Sequence, residues 1–438
     1  MIFAFIESSV GYGGIQVLCA DFIRHVLNHG NQVVFITDFT LGNQKSVYFE
    51  LLNDVKDQIQ FIDSDNLGRP SLLENSDFDN LRKKIYKAIP DKFADIVAFA
   101  YYFETVQLAI RLFGEYKNAK LFYFWPHPLA FIRELTLGRM GYVYSKIKNR
   151  QYYYQRKLII DMNNNDADFS LPVPCDIFVK WYYDIDREAK ERNAECGPVR
   201  NIQPSTKYHY DSSSGQIKVL WVGRFDYFKN DAIVYIWKTL ERIAEKHQKT
   251  KFIYNIIGGG GERFENDLRS RISPQNVEVN YLGIKKPEEL PNIYVENDIG
   301  ISMGLTIKQM AMCGLPAVLI DSLSDKYKPK RLCNWIFDTQ KGDAGDGMYY
   351  YMATGKILDE RVPLAAILNE ILSDPEKLNT YSVKCKEYVK KYYDFDQQNE
   401  KIYKAALGSK LNVSDVKPFR YFWPMRLIYK IHRHRRMA

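Results

Sequence analysis

Residues 219–230 read V-L-W-V-G-R-F-D-Y-F-K-N, and the rest of the chain can be laid out from them. The apolar run 219–222 has the length and composition of a buried strand. Gly223 then allows a tight turn. Two cations follow, Arg224 and Lys229, and a helical pattern begins at about residue 231. A cationic turn between the end of a parallel strand and a helix N-terminus is a place to hold a phosphate group. Arginine offers a planar fork to two oxygens, and lysine a compact point charge.

Downstream, strands and helices alternate. A helix is expected over 232–248 and a strand over 251–257, followed by Gly258, Gly259, Gly260 and Gly261 before Glu262. Glycines at such a junction mark a second ligand-facing turn. Further strands are expected at 278–282, 299–302 and 317–320, with helices at 287–297 and 307–313. Residues 303–306, M-G-L-T, form the turn before the second of these helices. Residues 326–360 read as irregular. Helices at 364–372, 375–392 and 397–407 close the pattern.

The N-terminal half follows the same logic. Residues 2–6 read as a strand, Ser8 to Gly14 as a glycine loop, and 15–27 as an amphipathic helix ending near Gly30; residues 32–37 are the second strand. The strand–glycine loop–helix–strand order begins a doubly wound α/β domain. Taken alone, Gly11, Gly13 and Gly14 fit a ligand loop or an empty tight turn equally well. Gln16 stands where a dinucleotide fingerprint wants glycine. The strand 120–125 runs into Trp125-Pro126-His127-Pro128, which puts His127 at a ligand-binding edge or in an ordinary loop. Periodicity fails at 197–211, with Pro198, Pro204 and the run Ser212 to Gly215 nearby. The expected domains are therefore 1–205, 206–395 and a final helix with tail, 396–438, which is expected to cross back to the N-terminal domain or to meet a membrane.

A chain of 438 residues, 46% hydrophobic and 26% charged, is globular and long enough for such domains. It has no apolar run of membrane-spanning length, and its first residues lack the basic start of a signal peptide. Its six cysteines are dispersed with no C-x-x-C pair, which fits reduced thiols in a cytoplasmic protein and suggests no zinc site. Residues 417–438 carry seven Lys or Arg and no acid, which leaves 54 basic against 53 acidic residues elsewhere. In this tail Arg426, Lys430 and Arg433 fall at helical spacing beside several aromatics. Residues 136–157 likewise combine Arg139, Lys146, Lys148 and three further cations with five tyrosines. Cations with interfacial aromatics suit an anionic membrane surface. A solvated face or an acidic partner stays open at both places.

Taken in order, these motifs resemble those of GT-B glycosyltransferases, close to the retaining family 4 enzymes. The glycine loop with Gly13 and Gly14, the His127 loop, Gly223-Arg224 with Lys229, the glycines at 258–261, Tyr281-Leu282-Gly283 and Ala311-Met312-Cys313-Gly314-Leu315-Pro316 each resemble a block of that family. The resemblance implies an α/β chain of two Rossmann-like domains facing each other across a cleft. It further implies transfer of a sugar from a nucleotide-sugar donor to a glycan or lipid-linked acceptor, without metal or other cofactor. Arg224, Lys229 and His127 become the expected catalytic residues. Gly13, Gly14, Gly223, Gly258, Gly259, Gly304, Leu305, Thr306 and Gln309 become donor-binding candidates. No nucleic-acid partner is expected, and the implied location is cytoplasmic, peripheral on the membrane if the basic segments dock.

The chain departs from the family at one place. The family carries two glutamates before the A-M-C-G-L-P block, at positions occupied here by Ile301 and Gln309. An amide oxygen still accepts a hydrogen bond, but without charge, and Ile301 offers no polar group at all. A catalytically silent binding subunit, or another GT-B enzyme such as a sugar-nucleotide epimerase, is the alternative this leaves.

Overall fold

The computed structural model describes residues 1–7, 13–38, 40–41, 44–64, 75–125, 142–170, 173–185, 197–323, 327–358 and 360–419. The chain divides into two compact units. One comprises Met1–Leu171, Val179–Ala194 and Asn399–Ala438; the other comprises Pro172–Phe178 and Glu195–Gln398.

The first unit runs β1 (Ile2–Ile6), α1 (Gly14–Asn28), β2 (Gln32–Thr37), a short pair β3 (Thr40–Leu41) and β4 (Gln44–Lys45), α2 (Tyr48–Leu51), β5 (Ile59–Asp63), α3 (Asn75–Ala88), β6 (Ile96–Ala100), α4 (Phe103–Phe113), β7 (Ala119–Trp125), α5 (Tyr142–Asn164) and β8 (Asp168–Ser170). Helix α6 (Val173–Tyr183) follows. Six of these strands form one sheet in the order β5-β2-β1-β6-β7-β8, every pairing parallel. Parallel strands are covered on both faces, which is why β1, β2 and β6 read as almost unbroken apolar runs.

The second unit runs β9 (Gln216–Val222), α7 (Tyr227–Ala244), β10 (Lys251–Ile257), α8 (Glu262–Arg271), β11 (Val277–Gly283), α9 (Leu290–Val295), β12 (Ile299–Ser302), α10 (Gly304–Met312), β13 (Ala317–Ile320), β14 (Cys333–Trp335), α11 (Gly347–Thr354), α12 (Leu364–Ser373) and α13 (Lys377–Tyr392). Its sheet has the order β11-β10-β9-β12-β13-β14, parallel except for the antiparallel edge β14. Alternate residues of β9 feed two cores. Val219 and Trp221 pack with α7 and α12, and Leu220 and Val222 pack with α10 and α13.

Helix α14 (Phe395–Leu407) carries the chain back into the first unit. Beyond it, Leu411 O accepts from Leu121 N at 2.8 Å, and Phe419 N donates to Gln107 Oε1 at 2.7 Å. Residues 411–419 are thus laid along β7 and α4.

Three expectations change. Helix α7 starts at Tyr227, because Asp226 caps it, and ends at Ala244, so Lys229 belongs to its first turn and not to a preceding loop. Helix α10 starts at Gly304, before the expected Ile307, after the extended residue Met303. Residues 326–360 are not uniformly irregular: they hold the edge strand β14 and helix α11. A three-residue strand is too short to announce itself by alternation.

Candidate functional site

The second sheet reverses its direction of growth between β9 and β12. Strands β10 and β11 extend to one side of β9, and β12 and β13 to the other. The C-terminal ends flanking such a reversal are where open α/β sheets bind ligands. The two turns at this point are residues 223–226 after β9 and residues 303–304 after β12. They are tied together by Ser302, whose Oγ donates to Val222 O at 2.9 Å.

In the first turn, Gly223 N donates to Ile257 O at 3.0 Å and Phe225 N to Gly259 O at 2.9 Å. Asp226 caps α7 by accepting from Phe228 N and Lys229 N at 3.2 and 3.0 Å. The same carboxylate lies 3.5 Å from Arg224 and 3.9 Å from Lys229. Those are loose pairings. Arg224 keeps 60% of its side chain exposed, and Lys229 keeps 27%. Burial lowers the Lys229 ammonium below its ordinary pKa, Asp226 opposes this, and Arg224 adds to it. Two cations held near one another, against one weakly engaged carboxylate, leave net positive charge for an incoming anion.

Gly258 and Gly260 make the turn compact. A Cβ on Gly258, whose φ is +151°, would sit 1.9 Å from Gly223 O, and one on Gly260 would sit 2.0 Å from Phe225 O. The glycines at 258–260 therefore let the loop after β10 lie directly against the cationic turn. Gly259 also lends its carbonyl to Phe225.

The second turn ends in the N-terminus of α10, which no side chain caps. Gly304 takes a φ of +70° and donates its N–H to Ala344 O at 2.8 Å, so that amide is already engaged. Leu305 and Thr306 follow in the first turn, where backbone N–H groups lack intrahelical partners. Gln309 is half-buried further along α10. Ile301 is fully buried in the core with Val219 and Val318, so its side chain belongs to packing.

A buried ionic cluster, absent from the sequence reading, sets the position of this second turn. Arg361, completely enclosed, donates to Asp321 from Nε and NH2 at 2.9 and 2.8 Å and to Asp343 at 2.6 Å. Asp321 follows β13 and also accepts from Gly347 N and the Tyr327 hydroxyl. The loop 343–347 is thereby fixed, and its Ala344 carbonyl holds Gly304. Asp346 is buried in the same loop. Burial and the charges of Asp343 and Asp321 push its pKa up to about 7, against the pull of Lys308. The signal available in the sequence was the turn-rich D-A-G-D-G at 343–347; its partner Arg361 lies outside any local pattern.

In the first unit the corresponding reversal lies between β1 and β6. Gly13 is the extended N-cap of α1, and a Cβ on it would meet Gln16 Oε1. Glu7, buried at the end of β1, shares its surroundings with Cys19, Tyr48 and Tyr101, whose pKa values are raised chiefly by burial. Glu7 was not anticipated; the only hint is its place directly after the first strand. The strand carrying the His127 loop ends in Trp125, whose Nε1 donates to Asp168 at 3.2 Å. His127, Arg139, Arg426, Lys430 and Arg433 lie outside the described residues, as do the side chains of Lys146 and Lys148. Of the other cations in 136–157, Arg156 donates to Tyr183 O and Asp184 O, and Lys157 pairs with Asp161. Among the described residues no helix is long and apolar enough to cross a membrane.

No protein-family model matches the chain, and no curated protein matches its sequence. Solved structures do match its fold. A sucrose-phosphate synthase from Thermosynechococcus elongatus is 14% identical over 92% of this chain and 97% of its own, with a TM-score of 0.56. WaaG, a glycosyltransferase involved in lipopolysaccharide biosynthesis, is 14% identical over 93% of this chain and 98% of its own, with a TM-score of 0.53. A trehalose-6-phosphate structure from E. coli bound with UDP-2-fluoro glucose is 13% identical over 96% of this chain and 100% of its own, with a TM-score of 0.50. The chain has the GT-B fold of these proteins, with two parallel-dominated α/β sheets.

Proposed function

We propose that this protein is a glycosyltransferase that moves a sugar from a nucleotide-sugar donor to a glycan or lipid-linked glycan, with retention, in surface polysaccharide assembly. The observation that carries the reading is the pairing of two turns at one strand reversal: a cationic one with Arg224 and Lys229, and an uncapped helix start at Leu305 and Thr306. Together they offer two charges and free amides to the diphosphate of a sugar nucleotide. A leaving diphosphate gains negative charge as the glycosidic bond breaks. Preorganised cations and amides stabilise that charge without a metal ion. In the retaining reading the acceptor attacks from the leaving-group face and a phosphate oxygen takes its proton, so no side-chain base is assigned. Location is proposed as cytoplasmic, with the basic segments docking on an anionic membrane surface.

The test is an Arg224→Ala, Lys229→Ala variant assayed against a panel of sugar nucleotides. The donor is first identified as the one that raises the melting temperature, since a ligand of the native state alone stabilises it. Loss of one preorganised hydrogen-bonding cation costs about 10²–10³ in rate, or ~3–4 kcal/mol, and the double variant is expected to lose at least this. Near-normal transfer by it refutes the assignment. Donor binding with no turnover by the wild type identifies the silent subunit instead.

A further inference from the structure

We propose that His25, His29 and Glu400 form a site for a divalent transition-metal ion of the zinc class in the first unit. His25 and His29 stand one helical turn apart at the end of α1, where residues four apart share a face. Glu400 comes from α14. His25 Nε2 lies 3.2 Å from Glu400 Oε2, and His29 Nε2 lies 3.1 Å from the same oxygen. The three donor atoms all lie within 4.8 Å of one another.

The tautomer of the His29 ring is fixed by its backbone partner. His29 Nδ1 is 2.9 Å from the His25 carbonyl oxygen. A carbonyl only accepts, so Nδ1 carries a proton. In the neutral ring Nε2 then presents a lone pair, and it presents it to a carboxylate oxygen that is also an acceptor. Two lone pairs at this distance repel unless a positive charge lies between them. A metal ion between them supplies that charge without protonating the ring. Zinc bonds of about 2.0–2.2 Å at tetrahedral angles put neighbouring donors roughly 3.3 Å apart, close to the two separations seen.

The surroundings are those of a held site. Lys404 pairs with the other carboxylate oxygen, Oε1, at 3.2 Å, which leaves Oε2 to the imidazoles. The Nδ1 bond of His29 to a backbone carbonyl is the outer hydrogen bond that orients a metal-bound imidazole. The Tyr403 ring lies 4.4 Å from that of His29 and 5.9 Å from that of His25, and its hydroxyl accepts from Asn31 at 2.8 Å. Two imidazoles and a carboxylate suit zinc and its neighbours and not calcium or magnesium, which take oxygen ligands. His29 and Glu400 retain 36% and 34% exposure, so a fourth position faces water. Glu400 is the second residue of the segment Asn399–Ala438 that returns to this unit. An ion here fastens that segment to α1.

The experiment uses the full chain, stripped with EDTA and titrated with zinc chloride against a chromophoric chelator, with melting followed in parallel. One zinc per chain and a raised melting temperature are expected, with cobalt giving the visible absorption of a low-coordinate site. His29→Ala and Glu400→Gln change partly exposed residues, and circular dichroism checks that both fold. Each is expected to weaken zinc binding by at least the roughly 10–100-fold lost with an outer partner. Absence of zinc uptake by the wild type, or equal affinity in both variants, overturns the proposal.

Discussion

Replacing Gly258 by alanine tests whether the glycines after β10 serve the cationic turn. The new Cβ would lie 1.9 Å from Gly223 O and 3.1 Å from the Phe225 ring. Carbon and oxygen meet comfortably at about 3.3 Å, so one turn must retreat by roughly 1.4 Å. Shifts forced by overpacking cost about 1–3 kcal/mol, and the φ of +151° adds strain of ~1–3 kcal/mol for a side-chain-bearing residue. Gly261→Ala is the matched control. Its φ is +82° and nothing lies within 4 Å of its Cβ, so it carries strain without collision. Urea midpoints of the two variants separate the terms, with Gly258→Ala the less stable by about 1–3 kcal/mol. Because the displaced atom belongs to Gly223, the residue before Arg224, Gly258→Ala is also expected to weaken binding of a nucleoside diphosphate by calorimetry, while Gly261→Ala leaves it near wild type. Equal midpoints for the two variants, or unchanged binding in Gly258→Ala, would refute the reasoning.

Asp226→Ala removes the cap of α7 and is expected to cost ~0.5–2 kcal/mol in urea unfolding; by freeing Lys229 from its nearest carboxylate it should not lower affinity for an isolated diphosphate. Asp346 titrates at about 7 in the folded state against 3.8 ordinarily. Between those values the folded protein keeps a proton that the unfolded chain has lost, so this residue lowers stability as pH rises through the window and holds that deficit above it. Asp346→Asn should therefore match wild type near pH 4 and exceed it at pH 8, by at most about 4 kcal/mol at ~1.36 kcal/mol per pH unit; a pH-independent difference contradicts it. Deleting residues 417–438 is expected to reduce sedimentation with anionic liposomes, and equal sedimentation counts against docking by the tail.

Much of the fold was legible along the chain. Strands β2, β10, β12 and β13 have the bounds that apolar runs between turn residues suggested, because a parallel strand buried on both faces is predominantly apolar. Helix starts were less legible. The polar residues Asp226 and Lys229 look like loop, and only the cap geometry places them at and inside the helix boundary. Edge strand β14 went unread because three residues are too few to show alternation, although it pairs with the preceding strand β13, and helix α11 because its Met348 packs in a core gathered from many elements.

By itself the sequence determined two α/β halves, the cationic turn at Arg224 and Lys229, and the ordered motifs that resemble a GT-B enzyme. These are local facts: periodicity, a glycine, a charge. Tertiary structure alone decided that the turns after β9 and β12 are neighbours, that Ile301 is core, and that Arg361 gathers Asp321 and Asp343 beneath the start of α10. It alone brought Glu400 to His25 and His29 across 375 and 371 positions of chain. Burial, strand order and ion pairing are properties of distance in space, and residues far apart in sequence carry no local trace of it.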